Sequence, residues 1–145
     1  MRRGEDGRLQ SRPEPYEHRL LLRLLRGRLN LADLMLERTP KASLEQYELV
    51  RRAYPKFQED LRFLLQWGMA LALTGRGAEA EAPLKIVAER EPAPRTKALA
   101  CYHLGELAAA AGRRDEARAR YGEALRTGAL DEARRKRAEE ALKQP

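Results

Sequence analysis

Residues 61–92 read LRFLLQWGMALALTGRGAEAEAPLKIVAEREP, and residues 98–129 read ALACYHLGELAAAAGRRDEARARYGEALRTGA, which repeats the pattern with an offset of 37 residues. The matched pairs are Gly68 with Gly105, Gly75 with Gly112, Ala80 with Ala117, Leu84 with Tyr121, and Val87 with Ala124. Self-similarity at a fixed period of this size is typical of stacked supersecondary units. Such stacks usually present a surface to another protein rather than a reaction centre.

A weaker copy of the same pattern lies upstream, in residues 24–55. Its matching positions are Ser43, Tyr47, Val50 and Pro55. Ala, Leu, Arg and Glu dominate the 145 residues while Thr, Val and Ile are scarce, and this composition favours helix over strand. The sequence therefore predicts one all-α domain.

Apolar periodicity and helix breakers place the individual helices. The predicted helices cover residues 17–38, 43–53, 58–74, 78–90, 96–111, 115–127 and 131–142. Ser43, followed three residues later by Gln46, predicts an N-cap for the second helix. The apolar stripe predicted for the first helix is Leu20, Leu24, Leu31 and Leu34, widened by Leu21, Leu25, Leu29 and Leu36. Residues 1–17 lack this periodicity and predict a flexible basic tail.

The repeating unit resembles the tetratricopeptide repeat (TPR) family. The resemblance rests on Trp67-Gly68 and Leu104-Gly105 early in the first helix of a pair, and on Gly75 and Gly112 at the turn. It continues along the second helices at Ala80, Leu84, Val87 and Pro92, then at Ala117, Tyr121, Ala124 and Ala129. It implies a short right-handed superhelical solenoid of helix–turn–helix repeats within residues 18–145. Its parts are a degenerate repeat over 24–55, repeats over 61–94 and 98–131, and a C-terminal capping helix over 131–142.

The resemblance also implies a concave groove lined by the first helix of each pair. Carried over by position, the first copy offers Leu25, Arg28, Leu29, Ala32 and Met35. The second copy offers Arg62, Leu65, Gln66, Met69 and Leu73, and the third offers Leu99, Tyr102, His103, Glu106 and Ala110. The Lys and Asn clamp of chaperone-binding relatives is absent from these positions. The stripe of Leu65, Met69 and Leu73 points to an apolar partner segment, or to packing on the N-terminal helix or on a second copy.

The formal net charge of +7 lies at the two ends of the chain, because residues 29–112 carry eleven basic and eleven acidic side chains. Arg19, Arg23 and Arg26 share one face of the first helix, and a second basic cluster covers 134–137. Nucleic-acid binding through these clusters is an alternative function, but the expected reading of a charge run is a solvated face. No aromatic residues lie among the second cluster to stack on bases.

No catalytic motif and no metal-ligand spacing occurs in the sequence, so no enzymatic activity, cofactor or metal is expected. Cys101, the only cysteine, is expected to be a small buried residue at a helix contact. No run is apolar enough to span a membrane, and a cytoplasmic location is expected. The sequence therefore predicts a non-catalytic adaptor that binds a protein or peptide in its groove. The alternatives are a nucleic-acid-associated protein and a self-assembling repeat protein that forms a homodimer.

Overall fold

The computed structural model describes residues 15–144, which form seven α-helices and no β-strand. The helices are α1 (Pro15–Met35), α2 (Pro40–Ala53), α3 (Leu61–Leu73), α4 (Gly77–Arg90), α5 (Pro94–Ala110), α6 (Arg114–Arg126) and α7 (Glu132–Lys143). Each helix packs on the next along the chain, and α3 also contacts α5. The all-α prediction is thus confirmed, with one core cluster running from α1 to α7.

The first helix begins and ends earlier than predicted. Of the predicted tail, residues 1–14 lie outside the described residues, whereas residues 15–17 form the first turn of α1. The helix ends at Met35 rather than Arg38, because the backbone amides of Arg38 and Thr39 both donate to the Met35 carbonyl and turn the chain. Pro40 then begins α2, a position where its missing N–H costs nothing.

The predicted N-cap role of Ser43 is wrong. Thr39 occupies the N-cap position of α2 and makes no capping hydrogen bond with its side chain. Ser43 lies one turn inside the helix, fully buried, and its hydroxyl donates to the carbonyl of Ala32 at 2.8 Å. This bond ties α2 to α1, so the serine joins two helices rather than starting one.

The start of α3 is set by an aspartate that the sequence prediction passed over. The segment Pro55–Glu59, predicted in part as α3, forms a separate short 3-10 helix. Asp60 follows it in extended conformation, and its carboxylate accepts hydrogen bonds from the backbone amides of Arg62 (2.9 Å) and Phe63 (3.3 Å). These bonds satisfy two of the free amides at the helix start.

The glycines that repeat every 37 residues have two roles. Gly75 and Gly112 end α3 and α5 with φ of 82° and 78°, a left-handed conformation in which a Cβ is strained. Gly68 and Gly105 allow close helix contact. A Cβ on Gly68 would lie 2.8 Å from Cγ of Leu84, and one on Gly105 would lie 2.9 Å from Cδ1 of Tyr121. The paired helices α3–α4 and α5–α6 therefore pack through equivalent contacts.

The apolar stripe predicted for α1 is on the wrong side of the helix. Leu25, Ala32 and Leu36 are buried, with Leu22 and Leu29 packed against the core. Five leucines of the predicted stripe are instead exposed: Leu20, Leu21, Leu24, Leu31 and Leu34. The helix is apolar on two opposite faces, and only packing against α2 decides which face is inside.

Candidate functional site

The residues predicted to line the groove differ widely in accessibility. Leu65, Met69, Tyr102 and His103 are buried, so a partner cannot reach them in this structure, contrary to the prediction. Gln66, Leu99 and Glu106 are half-buried, while Arg28, Arg62 and Leu73 are exposed. The buried residues lie on α3 and α5, and these two helices contact each other directly, so little space remains between them.

In α1 the groove prediction is displaced by about one residue. Arg28 lies on the side of α1 that faces α2, and its Nη1 donates to the side-chain oxygen of Gln46 at 3.0 Å. Leu25 and Ala32, also predicted for the groove, belong to the core. The physical reason is that Ala32, not Leu31, is the small buried residue of α1, so an offset of 37 residues assigns the wrong face.

A cleft of about 170 Å³ lies between α1 and α3 and includes three of the predicted residues, Leu29, Arg62 and Gln66. Its walls combine apolar, amide and charged side chains: Arg26, Leu29, Asn30, Asp33, Tyr47, Phe57, Asp60, Arg62, Phe63 and Gln66. The sequence prediction missed Arg26, Asn30 and Asp33. Their spacing of four and three residues along α1 is the available signal that they share a face.

Asp33 organises the polar part of this cleft. Its Oδ1 accepts a hydrogen bond of 2.5 Å from the hydroxyl of Tyr47, and its Oδ2 lies 3.5 Å from Nη2 of Arg62. Burial raises the pKa of Tyr47 far above its usual value, and the hydrogen bond to Asp33 raises it further. The tyrosine therefore stays a neutral donor. The guanidinium of Arg62 is exposed at the cleft and pairs with the carboxylate of Asp33.

The cleft also contains polar groups whose hydrogen-bonding capacity is unused. The side-chain amides of Asn30 and Gln66 make no hydrogen bond to any residue of 15–144, and Arg26 has no carboxylate partner within that range. Arg26 instead places its guanidinium carbon 5.8 Å from the ring centre of Phe57. Such groups are available to a peptide backbone or a carboxylate.

Two arginines of α7 contact predicted groove residues of α5. Arg134 lies over the ring of Tyr102, with its guanidinium carbon 6.0 Å from the ring centre, and its Nη2 reaches Oε1 of Glu37 at 3.2 Å. Arg137 approaches Glu106 at 3.7 Å. The sequence assigned these arginines to a free basic cluster, whereas the structure uses both to hold α7 in place. Arg134 therefore covers Tyr102, whereas Leu99 and Glu106 stay half-buried and Ala110 stays exposed.

His103 is buried beneath this cover as a neutral ring. Its Nε2 has no hydrogen-bond partner among the described residues, and burial, followed by the charge of Arg134, lowers its pKa to about 4. Cys101 is buried as predicted, and its sulfur lies 3.7 Å from Oε2 of Glu123. Burial, followed by that carboxylate, raises the pKa of the Cys101 thiol to about 11, so the thiolate that carries cysteine reactivity is suppressed.

Within residues 15–144, no group of three or more His, Cys, Asp and Glu side chains is placed to hold a metal ion. None of the helices in that range has both the length and the apolar character needed to cross a membrane. Comparison of the chain with protein-family models, with curated proteins and with solved structures found no match.

Proposed function

We propose that this protein is a non-catalytic adaptor of the tetratricopeptide type, which binds a segment of a partner protein between the first helices of its repeats. In this proposal α1–α2, α3–α4 and α5–α6 are the three repeats of a short right-handed solenoid, and α7 is the cap. The equivalent contacts of Gly68 with Leu84 and of Gly105 with Tyr121 support it. Repeats of this kind are built from the same close helix contact at each period.

The cleft between α1 and α3 is the proposed anchor for the partner, and one observation carries this assignment. Arg26, Asn30, Arg62 and Gln66 surround a cleft with apolar walls and retain donors that the described residues do not use. Amide side chains both donate to and accept from a peptide backbone, while guanidinium groups favour a carboxylate. The proposed ligand is therefore an extended peptide segment carrying at least one acidic side chain.

Leu65 and Tyr102 were predicted to line the groove, and in this proposal they do not contact the partner. Both belong to the core, so Leu65→Glu would bury a charge and unfold the protein rather than report on binding. Leu73 stays exposed at the end of α3 and remains available to an apolar residue of the partner. The informative substitutions are those of exposed or half-buried cleft residues.

Selection from a random peptide library tests the proposal. The library is selected on the immobilised full chain and then measured on Arg26→Gln/Arg62→Gln. The matched control is Arg90→Gln/Arg126→Gln, which removes the same charge from the last turns of α4 and α6. We expect acidic peptides that lose at least about tenfold in affinity on the cleft variant, equivalent to about 1.4 kcal/mol, and little on the control. Peptides that bind both variants equally would contradict the cleft assignment.

Nucleic-acid binding through the terminal basic clusters is the alternative function, and of the two clusters the C-terminal one is less well supported by the structure. In α7, Arg134 is paired with Asp131 and Glu37, Lys136 with Glu132, and Arg137 with Glu106. Charges that are already paired release fewer counterions from a phosphate backbone. A steep salt dependence of binding to a random DNA duplex would nevertheless transfer the proposal to these clusters. The cytoplasmic location expected from the sequence belongs to the same proposal as the adaptor function.

A further inference from the structure

The outward face of α1 is apolar along its whole length. Leu24, Leu31 and Leu34 are 61%, 57% and 83% exposed, and Leu20 is 44% exposed. These leucines and Gly27 follow one another at spacings of four, three, four and three residues, which places them in one line along the helix. We call this line, Leu20, Leu24, Gly27, Leu31 and Leu34, the outer stripe.

The outer stripe corresponds to a surface that is covered elsewhere in the molecule. Leu31-Ala32 in α1 stands where Trp67-Gly68 stands in α3, because Ala32 and Gly68 are the small buried residues of the two helices. Trp67 packs on α2, since its Nε1 donates to Glu48 at 3.3 Å and Arg51 lies over its ring at 5.0 Å. The equivalent surface of α1, with Leu31 in the position of Trp67, has nothing packed on it among the described residues.

Neither end of the chain offers a matching apolar surface. Residues 1–14 contain seven charged side chains and only Met1 and Leu9 as large apolar ones. The outer face of α7 is charged and exposed, with Glu132, Arg135, Lys136, Glu139 and Lys143. The outer stripe of a second copy has the same length, the same spacing and the same apolar character.

We propose that two copies of this chain associate about a two-fold axis through their outer stripes, with the two α1 helices antiparallel and crossing near Gly27. Gly27 lies at the centre of the stripe, and a Cβ there would have nothing within 4 Å, so a second helix can approach closely. In this arrangement Leu20 of one copy lies near Leu34 of the other, and Leu24 lies near Leu31. The interface is isologous, the commonest type in homodimers.

The charges beside the stripe favour the antiparallel arrangement. Residues 17–28 carry four arginines and one glutamate, whereas residues 29–38 carry two acidic residues and one arginine. A parallel pair would place the four arginines of one copy against the four of the other. The antiparallel pair places each basic half against the more acidic half of its partner, which lowers the repulsion.

The exposed area sets the expected strength. The four leucines expose roughly 500 Å² per copy, which is within the size range of functional apolar patches. Two such stripes bury roughly 1,000 Å² in total, the lower limit for a specific interface. The expected dimer is therefore weak and its population depends on protein concentration.

Sedimentation equilibrium of the full chain over a hundredfold range of concentration tests the proposal. We expect a concentration-dependent shift from monomer to dimer, and a monomer at every concentration for Leu24→Glu/Leu31→Glu. Both positions are more than half exposed, so the monomer should keep its helicity by circular dichroism. Ile86→Glu is the matched control, an exposed aliphatic residue on α4 that should leave dimerisation unchanged. A wild-type monomer throughout, or a dimer that survives the double substitution, would overturn the proposal.

Disulfide formation tests the orientation. Gly27→Cys should give a cross-linked dimer under mild oxidation, whereas Leu34→Cys should not, because its two sulfurs would lie roughly 20 Å apart in the antiparallel pair. Cross-linking of both variants would mean that the two α1 helices are parallel. Cross-linking of neither variant would mean that the helices do not cross near Gly27. Binding of the monomer to phosphatidylcholine–phosphatidylserine vesicles, abolished by Leu24→Glu/Leu31→Glu, would show that a lipid surface occupies the stripe instead. All these measurements leave the cleft residues unchanged, so they succeed or fail independently of the proposed adaptor function.

Discussion

Replacing Gly68 with alanine tests the contact on which the packing of α3 against α4 depends. The added Cβ would lie 2.8 Å from Cγ and 2.9 Å from Cδ2 of Leu84, a side chain with no exposed surface. The nearer atom is the branch point of the leucine, so the side chain cannot simply rotate away. Overpacking of this kind costs about 1–3 kcal/mol, while alanine in a helix interior returns about 0.5–1 kcal/mol relative to glycine.

We therefore expect Gly68→Ala to lower the free energy of unfolding by about 1–2 kcal/mol and Tm by about 4–8 °C. Urea unfolding followed by far-UV circular dichroism measures the change. Gly122→Ala in α6 is the matched control, because its Cβ would meet only the mobile end of Arg126 at 3.4 Å and should be neutral or stabilising. A Gly68→Ala protein as stable as the Gly122→Ala protein would refute the reasoning, since it would show that α3 and α4 do not approach closely.

Three other predictions follow from buried polar groups. Stability should fall as pH drops from about 6.5 to about 4 and be flat above that window, because His103 is protonated more readily in the unfolded chain; His103→Leu should flatten the slope in urea titrations at each pH. Ser43→Ala should lower the free energy of unfolding by about 1 kcal/mol through loss of the bond to the Ala32 carbonyl, and an unchanged value would mean that this bond contributes nothing. The Cys101 thiol should react with a disulfide reagent at pH 8 only after urea unfolding, so rapid reaction of the native protein would contradict its burial.

The parts of the fold that the sequence predicted well are those governed by glycine. The backbone is left-handed at Gly75 and Gly112, and a side chain of the next helix lies very close to Gly68 and Gly105. Both features favour glycine, and both recur at the same period. The prediction for Ser43 was wrong because the same sequence, a serine with glutamine three residues later, is compatible with two structures. The serine can cap a helix, or it can lie inside the helix with its hydroxyl buried. Only the presence of the Ala32 carbonyl 2.8 Å away distinguishes the two.

The candidate site was less predictable because it depends on which face of α1 turns inward. Leucines on two opposite sides give the same periodicity, and the choice rests on tertiary contacts with α2, which the periodicity of α1 alone does not contain. The cover of Tyr102 by Arg134 of α7 is likewise a tertiary contact with no local signal. Arg62 and Gln66, which the repeat pattern placed on one face of α3, both lie on the wall of the cleft.

Capture of partners from the lysate of the host organism, with and without nuclease, tests the adaptor function most directly. Immobilised wild-type protein, Arg26→Gln/Arg62→Gln and Arg90→Gln/Arg126→Gln are compared in parallel, and the retained proteins are identified by mass spectrometry. If the protein is an adaptor that binds through the cleft, the wild type and the control retain a partner protein despite nuclease, and the cleft variant loses it. Retention that disappears with nuclease, or that is equal on all three proteins, would contradict it.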